Sequence, residues 1–140
     1  MGDIVNTASR IEKLNKYLDT RILVSEEVLQ QIEGFLTRKL GEFIFVGKSK
    51  PVTVYELISR TEESIEQQRN LCAVFTEGLN AYYEQSWEEA IKAFYESAKI
   101  YQQDGPSTFY LHLCEKYKVN PPGEVWDGWV RLKNKLELVL

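Results

Sequence analysis

The sequence predicts an α+β chain, with helix and antiparallel strands in roughly the first 60 residues and helix alone beyond them. Three observations predict it. Apolar residues recur at helical spacing from Ile4 to Leu18. Two β-branched and aromatic runs, EFIFV (42–46) and VTVYELI (52–58), flank GKSKP, which reads as a hairpin loop. From Thr61 onward the texture is helical.

The elements follow in order. The first helix runs over Ile4 to Leu18, and RILVS (21–25) is strand-like. A short helix is expected from Glu26 to about Glu33, with Ser25 as its N-cap. The stretch from Phe35 to Val46 is expected to break at Gly41 and then enter the EFIFV strand. VTVYELI is the clearest strand. TEESIEQQRN (61–70) is polar enough for a linker or a solvated first helical turn, so the boundary is placed there, giving units 1–60 and 61–140.

Composition excludes several classes of function. A net charge of −4 over 140 residues offers no concentrated basic surface for nucleic acid. No apolar run approaches the ~20 residues that span a bilayer, so no membrane contact is expected from this chain. Cys72 and Cys114 lack metal-ligand spacing and read as reduced thiols in a cytoplasmic protein. His112, the single histidine, lies in the apolar YLHLC and reads as a packed or surface residue. GKS is not a phosphate-binding P-loop, because the first Gly of that motif would fall on Glu42 and a strand follows where a helix is required.

The opening helix carries the functional question. At about 100° per residue, Ile4, Val5, Ala8, Ile11, Leu14 and Leu18 gather on one side. Asn6, Arg10, Lys13 and Tyr17 fall on the other, with Asn6 and Arg10 neighbours at i and i+4. This face is either simply solvated, or an anion-and-hydroxyl clamp in which Arg supplies a fork for phosphate oxygens and Asn a short amide for a sugar. Spacing leaves both open.

The opening GDIVNTASRIEKLNK, followed by LGEFIFVGKSKPVTVYEL, resembles the second half of a class III nucleotidyl cyclase catalytic domain, the family of most adenylate and guanylate cyclases. The resemblance covers about the first 58 residues and implies part of a ferredoxin-like domain. It implies that Asn6 orients the ribose and that Arg10 stabilises charge on the α-phosphate when the 3′-OH attacks and pyrophosphate leaves. It also implies Mg or Mn ions held by two aspartates of the first half of the domain, which this chain does not contain, so no metal is expected here. Asp3 belongs to the start of the helix motif and reads as an N-terminal carboxylate. The residues that read the base also lie upstream, leaving ATP or GTP open as substrate of the parent. Met often precedes this Gly-Asp in the family, so Met1 is expected to be internal to a longer cyclase. Many members carry Lys just before the hairpin Gly, where this chain has Val46; Lys48 and Lys50 are the nearby candidates for phosphate contact.

FTEGLNAYYEQSWEEAIKAFYESAKIYQQD (75–104) resembles one tetratricopeptide repeat, with Gly78, Ala90 and Phe94 close to the repeat pattern and Ser97 in place of its usual Ala. A further helix is expected around Ser107 to Tyr117, with Pro106 in its first turn. A lone repeat seldom buries a core, so it is expected to pack on something else. The tail through PPGEVWDGWVRLKNK resembles the segment following the catalytic domain in some bacterial cyclases, with Trp126 and Trp129 as docking residues.

The expectation is therefore a C-terminal piece of a bacterial-type class III cyclase, silent alone and homodimeric, whose parent makes cyclic AMP for intracellular signalling. Two rivals are an interaction module in which the helical tail is the working part, and a cyclase relic that binds nucleotide without turnover.

Overall fold

A computed structural model describes residues 22–101 and 103–132, together with Leu14 and Leu18. It is an α+β structure divided into two compact units. Of the described residues, those up to Ser64 and from Trp129 to Leu132 form the first, and those from Ile65 to Gly128 the second.

In the sheet unit, Leu14 and Leu18 are helical and each only 3% exposed. That places both on a covered face, as their i, i+4 spacing requires. Strand β1 (Leu23–Ser25) leads directly into α1 (Glu26–Leu29). Ser25 caps α1, its Oγ accepting from the Val28 N–H at 3.3 Å, and Glu26 and Glu27 sit favourably at the positive end of the helix. The helix stops at Leu29, four residues short of the expected end, and Gly34 (φ 82°) turns the chain into β2. None of its four residues is buried, so no packing extends it.

Strand β2 (Phe35–Ile44) runs straight through Gly41. Glycine there does not break the strand; it makes a bulge. Lys39 pairs with Tyr55 and Gly41 with Val54, so Leu40 is the extra residue and Gly41 takes φ 134°. The side chain of Leu40 is fully buried. The turn after β2 closes with the Lys48 N–H donating to the Phe45 carbonyl at 2.9 Å, Gly47 supplying φ 81°. Strand β3 (Val52–Arg60) returns antiparallel to β2 and pairs on its other side with β1.

Arg38 and Glu56 face each other across β2 and β3, 3% and 7% exposed. Arg38 Nε donates to Glu56 Oε1 at 2.8 Å, with Nη2 at 2.7 Å from the same oxygen.

The sheet gains a fourth strand that the sequence pattern does not announce. Val130–Arg131 forms β4, parallel to β2, with Val130 opposite Phe43 and Arg131 opposite Ile44. The Leu132 N–H donates to the Ile44 carbonyl at 3.0 Å. The strand order is β1-β3-β2-β4. The chain thus leaves the sheet unit after a 3₁₀ turn at Thr61–Glu63, builds the helical unit, and returns.

The helical unit comprises α2 (Glu66–Tyr83), α3 (Trp87–Ile100) and α4 (Gly105–Val119). Ile65 precedes α2 with no oxygen to offer, and the Gln68 side chain instead accepts from the Ile65 N–H at 3.0 Å. Helix α2 ends with Gln85 at φ 59°, the Ser86 N–H reaching the Ala81 carbonyl and that of Gln85 the Tyr82 carbonyl. Asp104 caps α4 through the Ser107 N–H, with Pro106 in the first turn.

Gly78 is where α2 and α3 approach: a Cβ there would lie 2.8 Å from the Phe94 ring. Phe94 stacks on Tyr110 (centroids 5.2 Å apart) and meets Phe75 edge-on, so all three helices share one aromatic core. Ser97 is fully buried and bonded to Ser107 Oγ at 2.6 Å, which in turn bonds Asp104.

Candidate functional site

Asn6 and Arg10, the two predicted catalytic residues, lie outside the described residues, as do Lys13 and Tyr17. Lys48 and Lys50 are exposed on the β2–β3 turn. Lys48 borders an open cleft of about 380 Å³, and Lys50 is not among its lining residues.

That cleft is built from two segments far apart in sequence. One wall is the end of β2 and its turn, from Ile44 to Ser49; the other is Trp129, Arg131 and Leu132. Gly47 leaves the turn open, since a Cβ there would touch nothing within 4 Å. The pairing of β4 with β2 sets the second wall beside the first. Gly128 (φ 75°) turns the chain toward β4, and a Cβ there would lie 2.4 Å from the Tyr83 ring, so glycine is required on both counts.

Among the described residues, the cleft's charged lining is cationic: Lys48 and Arg131. Arg131 Cζ sits 5.7 Å from the centre of the Trp129 ring, and its Nη1 donates to the Trp129 carbonyl at 3.5 Å. Acidic groups act elsewhere in the unit. Burial, then Glu26 and Glu42, raises the Tyr55 hydroxyl above its ordinary pKa. Sequence reading missed Arg131 and Trp129 as cleft residues, because nothing local to WDGWVRL says that the strand pairs with Phe43.

The two docking tryptophans separate. Trp126 packs as expected, edge-on against Tyr82, Trp87 and Tyr117, its Nε1 donating to the Tyr83 carbonyl at 2.8 Å. Centroids 5.1 to 5.9 Å apart leave no room for a guest among Tyr82, Trp87, Tyr117 and Trp126. Trp129, beyond Gly128, lines the cleft instead.

The remaining chemical residues are quiet. His112 is exposed, with Nδ1 3.6 Å from Glu115 Oε1. Cys72 and Cys114 are buried, and burial pushes the Cys114 thiol up to about 12. Among the described residues no three His, Cys, Asp or Glu side chains are placed to hold a metal ion, and no helix is long and apolar enough to cross a membrane.

No family model matches the chain, and no solved structure matches it significantly. Three curated proteins do. The terminal-differentiation specific adenylate cyclase of Dictyostelium discoideum is 29% identical over 119 residues, 81% of this chain. Wherever a match of that extent begins, it takes in the β2–β3 hairpin and the first two long helices. Adenylate cyclase 1 of Rhizobium meliloti (strain 1021) is 39% identical over 59 residues, and the adenylate cyclase of Anabaena cylindrica 38% over 61, each 41% of this chain. The matched region spans only 6%, 9% and 12% of these proteins. These partial similarities support a cyclase-related family.

Proposed function

We propose that this chain is the C-terminal part of a class III adenylate cyclase, the parent converting ATP to cyclic AMP and pyrophosphate. The observation that carries the reading is the Dictyostelium adenylate cyclase match over 81% of the chain. The opening G-D-x-V-N-x-A-S-R-x-E pattern adds to it.

In this reading Asn6 orients the ribose, and Arg10 meets the charge that grows on the α-phosphate as the 3′-OH attacks. Lys48 and Lys50 approach the outer phosphates from the hairpin turn. Mg or Mn ions, which polarise the attacking oxygen and offset the charge of the leaving group, would be held by residues outside this chain. The site would form between two catalytic domains, so a homodimer is part of the proposal, as are a cytoplasmic location and a tetratricopeptide-like character for the helical unit.

The test is made in the parent enzyme. Arg10→Ala is expected to lower kcat about 10²–10³-fold with little change in KM, because the interaction it removes strengthens in the transition state. An unchanged kcat would return the Asn6–Arg10 face to ordinary solvation. The 140-residue chain alone is expected to make no cyclic nucleotide with Mg²⁺ or Mn²⁺; product formation abolished by Arg10→Ala would refute that.

A further inference from the structure

We infer that the segment from Gly123 to Gly128 is a releasable strap: the end of α2 grips it, and β4 holds the edge of β2 only while that grip lasts. The inference is independent of the cyclase reading and concerns how the helical unit governs the fourth strand of the sheet.

The grip is made by groups at and just beyond the end of α2. At the start of the segment, Gln85 Nε2 donates to the Gly123 carbonyl at 3.0 Å. Midway, Trp126 Nε1 donates to the Tyr83 carbonyl at 2.8 Å, and its ring meets Tyr82 edge-on. At the last residue, the buried Tyr82 hydroxyl donates to the Gly128 carbonyl at 3.1 Å. Gly128 itself is buried against the Tyr83 ring, where no Cβ would fit, and takes φ 75°. Between these points the chain faces water, Val125 being 97% exposed. The segment is therefore held at a few places by α2 and not by a core of its own.

Strand β4 depends on that hold. It has two residues, one buried side chain (Val130) and one flanking bond from the Leu132 N–H to the Ile44 carbonyl. So short a strand has little to offset the entropy of ordering the chain around it. With Gly128 gripped, only Trp129 separates a fixed point from Val130. With the grip released, the free chain extends back to Val119 at the end of α4, and the effective concentration of β4 at its partner falls. The edge of β2 then opens at Phe43 and Ile44, and an unpaired edge accepts other chains. The coupling runs through the Gly128–Trp129 peptide itself.

Amide hydrogen exchange of the 140-residue chain, followed residue by residue by NMR, tests the strap. The reporter is the Leu132 N–H; the reference is the Leu57 N–H, which donates to the Ile22 carbonyl in the same sheet. Tyr82→Phe is expected to speed Leu132 exchange about tenfold, the loss of one buried hydrogen bond, with Leu57 unchanged. Gly128→Ala, strained at its positive φ and against Tyr83, is expected to speed it about a hundredfold. Asp104→Ala, which weakens the start of α4, is expected to leave Leu132 unchanged. Far-UV circular dichroism checks that the helices persist. Where Tyr82→Phe loses them, Gln85→Ala decides: it removes only the outermost bond and is expected to speed Leu132 about threefold. Unchanged Leu132 exchange in Gly128→Ala or Gln85→Ala, with helices intact, would overturn the inference. So would equal acceleration by Asp104→Ala and Tyr82→Phe, or acceleration of Leu57 together with Leu132.

Discussion

Arg38 and Glu56 show how much one pair of residues can be asked to do inside a small sheet. Both are taken out of water, so their mutual attraction mainly offsets desolvation, and the pair adds little net stability. Breaking it is another matter. Glu56→Gln keeps the shape but leaves the Arg38 charge facing a neutral amide, with an expected loss of about 3 kcal/mol in urea unfolding of the sheet unit. Gly78 sets two effects against each other. Alanine would favour the helix by about 1 kcal/mol, but its Cβ would meet the Phe94 ring at 2.8 Å. That ring is held by Phe75 and Tyr110 and has nowhere to go, and overpacking costs about 1–3 kcal/mol. Gly78→Ala is therefore expected to lower the thermal midpoint of the helical unit; a raised midpoint would show that the ring yields. Cys114 gives a pH dependence. Its folded pKa is raised, from 9.0 to about 12, so the stability linked to the buried thiol is fully present below 9 and is lost as pH rises toward 12. Tyr82, raised above 10 mainly by burial, acts in the same direction. Urea midpoints of the helical unit, followed by circular dichroism between pH 7 and 11, are expected to fall on the alkaline side. Alkylation of Cys114 at pH 8 is expected to require unfolding.

Among the elements, those fixed by local chemistry were legible in the sequence. The β-branched and aromatic runs and the GKSKP turn locate the end of β2 and most of β3, Ser25 locates the start of α1, and Pro106 the first turn of α4. The bulge was not legible, because Gly41 reads equally as a break until Leu40 is seen filling the core. The Arg38–Glu56 pair hangs on the same irregularities, since two register shifts decide which residues face one another. Strand β4 was hidden for a different reason: two residues carry no period, and their partner lies in another part of the chain. The candidate site divides likewise. A basic turn announced Lys48, whereas Arg131 and Trp129 enter only through β4. In the helical unit, Ser97 departs from a small apolar residue and is accommodated by Ser107 and Asp104. Asp104→Ala removes the α4 cap and the end of this chain of hydroxyls, and is expected to cost about 1–2 kcal/mol; the conservative Asp104→Asn should recover most of it.

At the scale of the whole molecule, the helical unit is inserted between two parts of the sheet unit. The last strand pairs with residues made roughly 90 positions earlier. During synthesis at about 5–20 residues per second, the outer edge of β2 at Phe43 and Ile44 therefore waits about 5–20 s for its partner, while the helices emerge and fold. An uncovered strand edge is open to pairing with other chains throughout that interval. The newborn protein thus passes through a vulnerable window that its finished form no longer displays, and a ribosome stalled before residue 129 would hold it there.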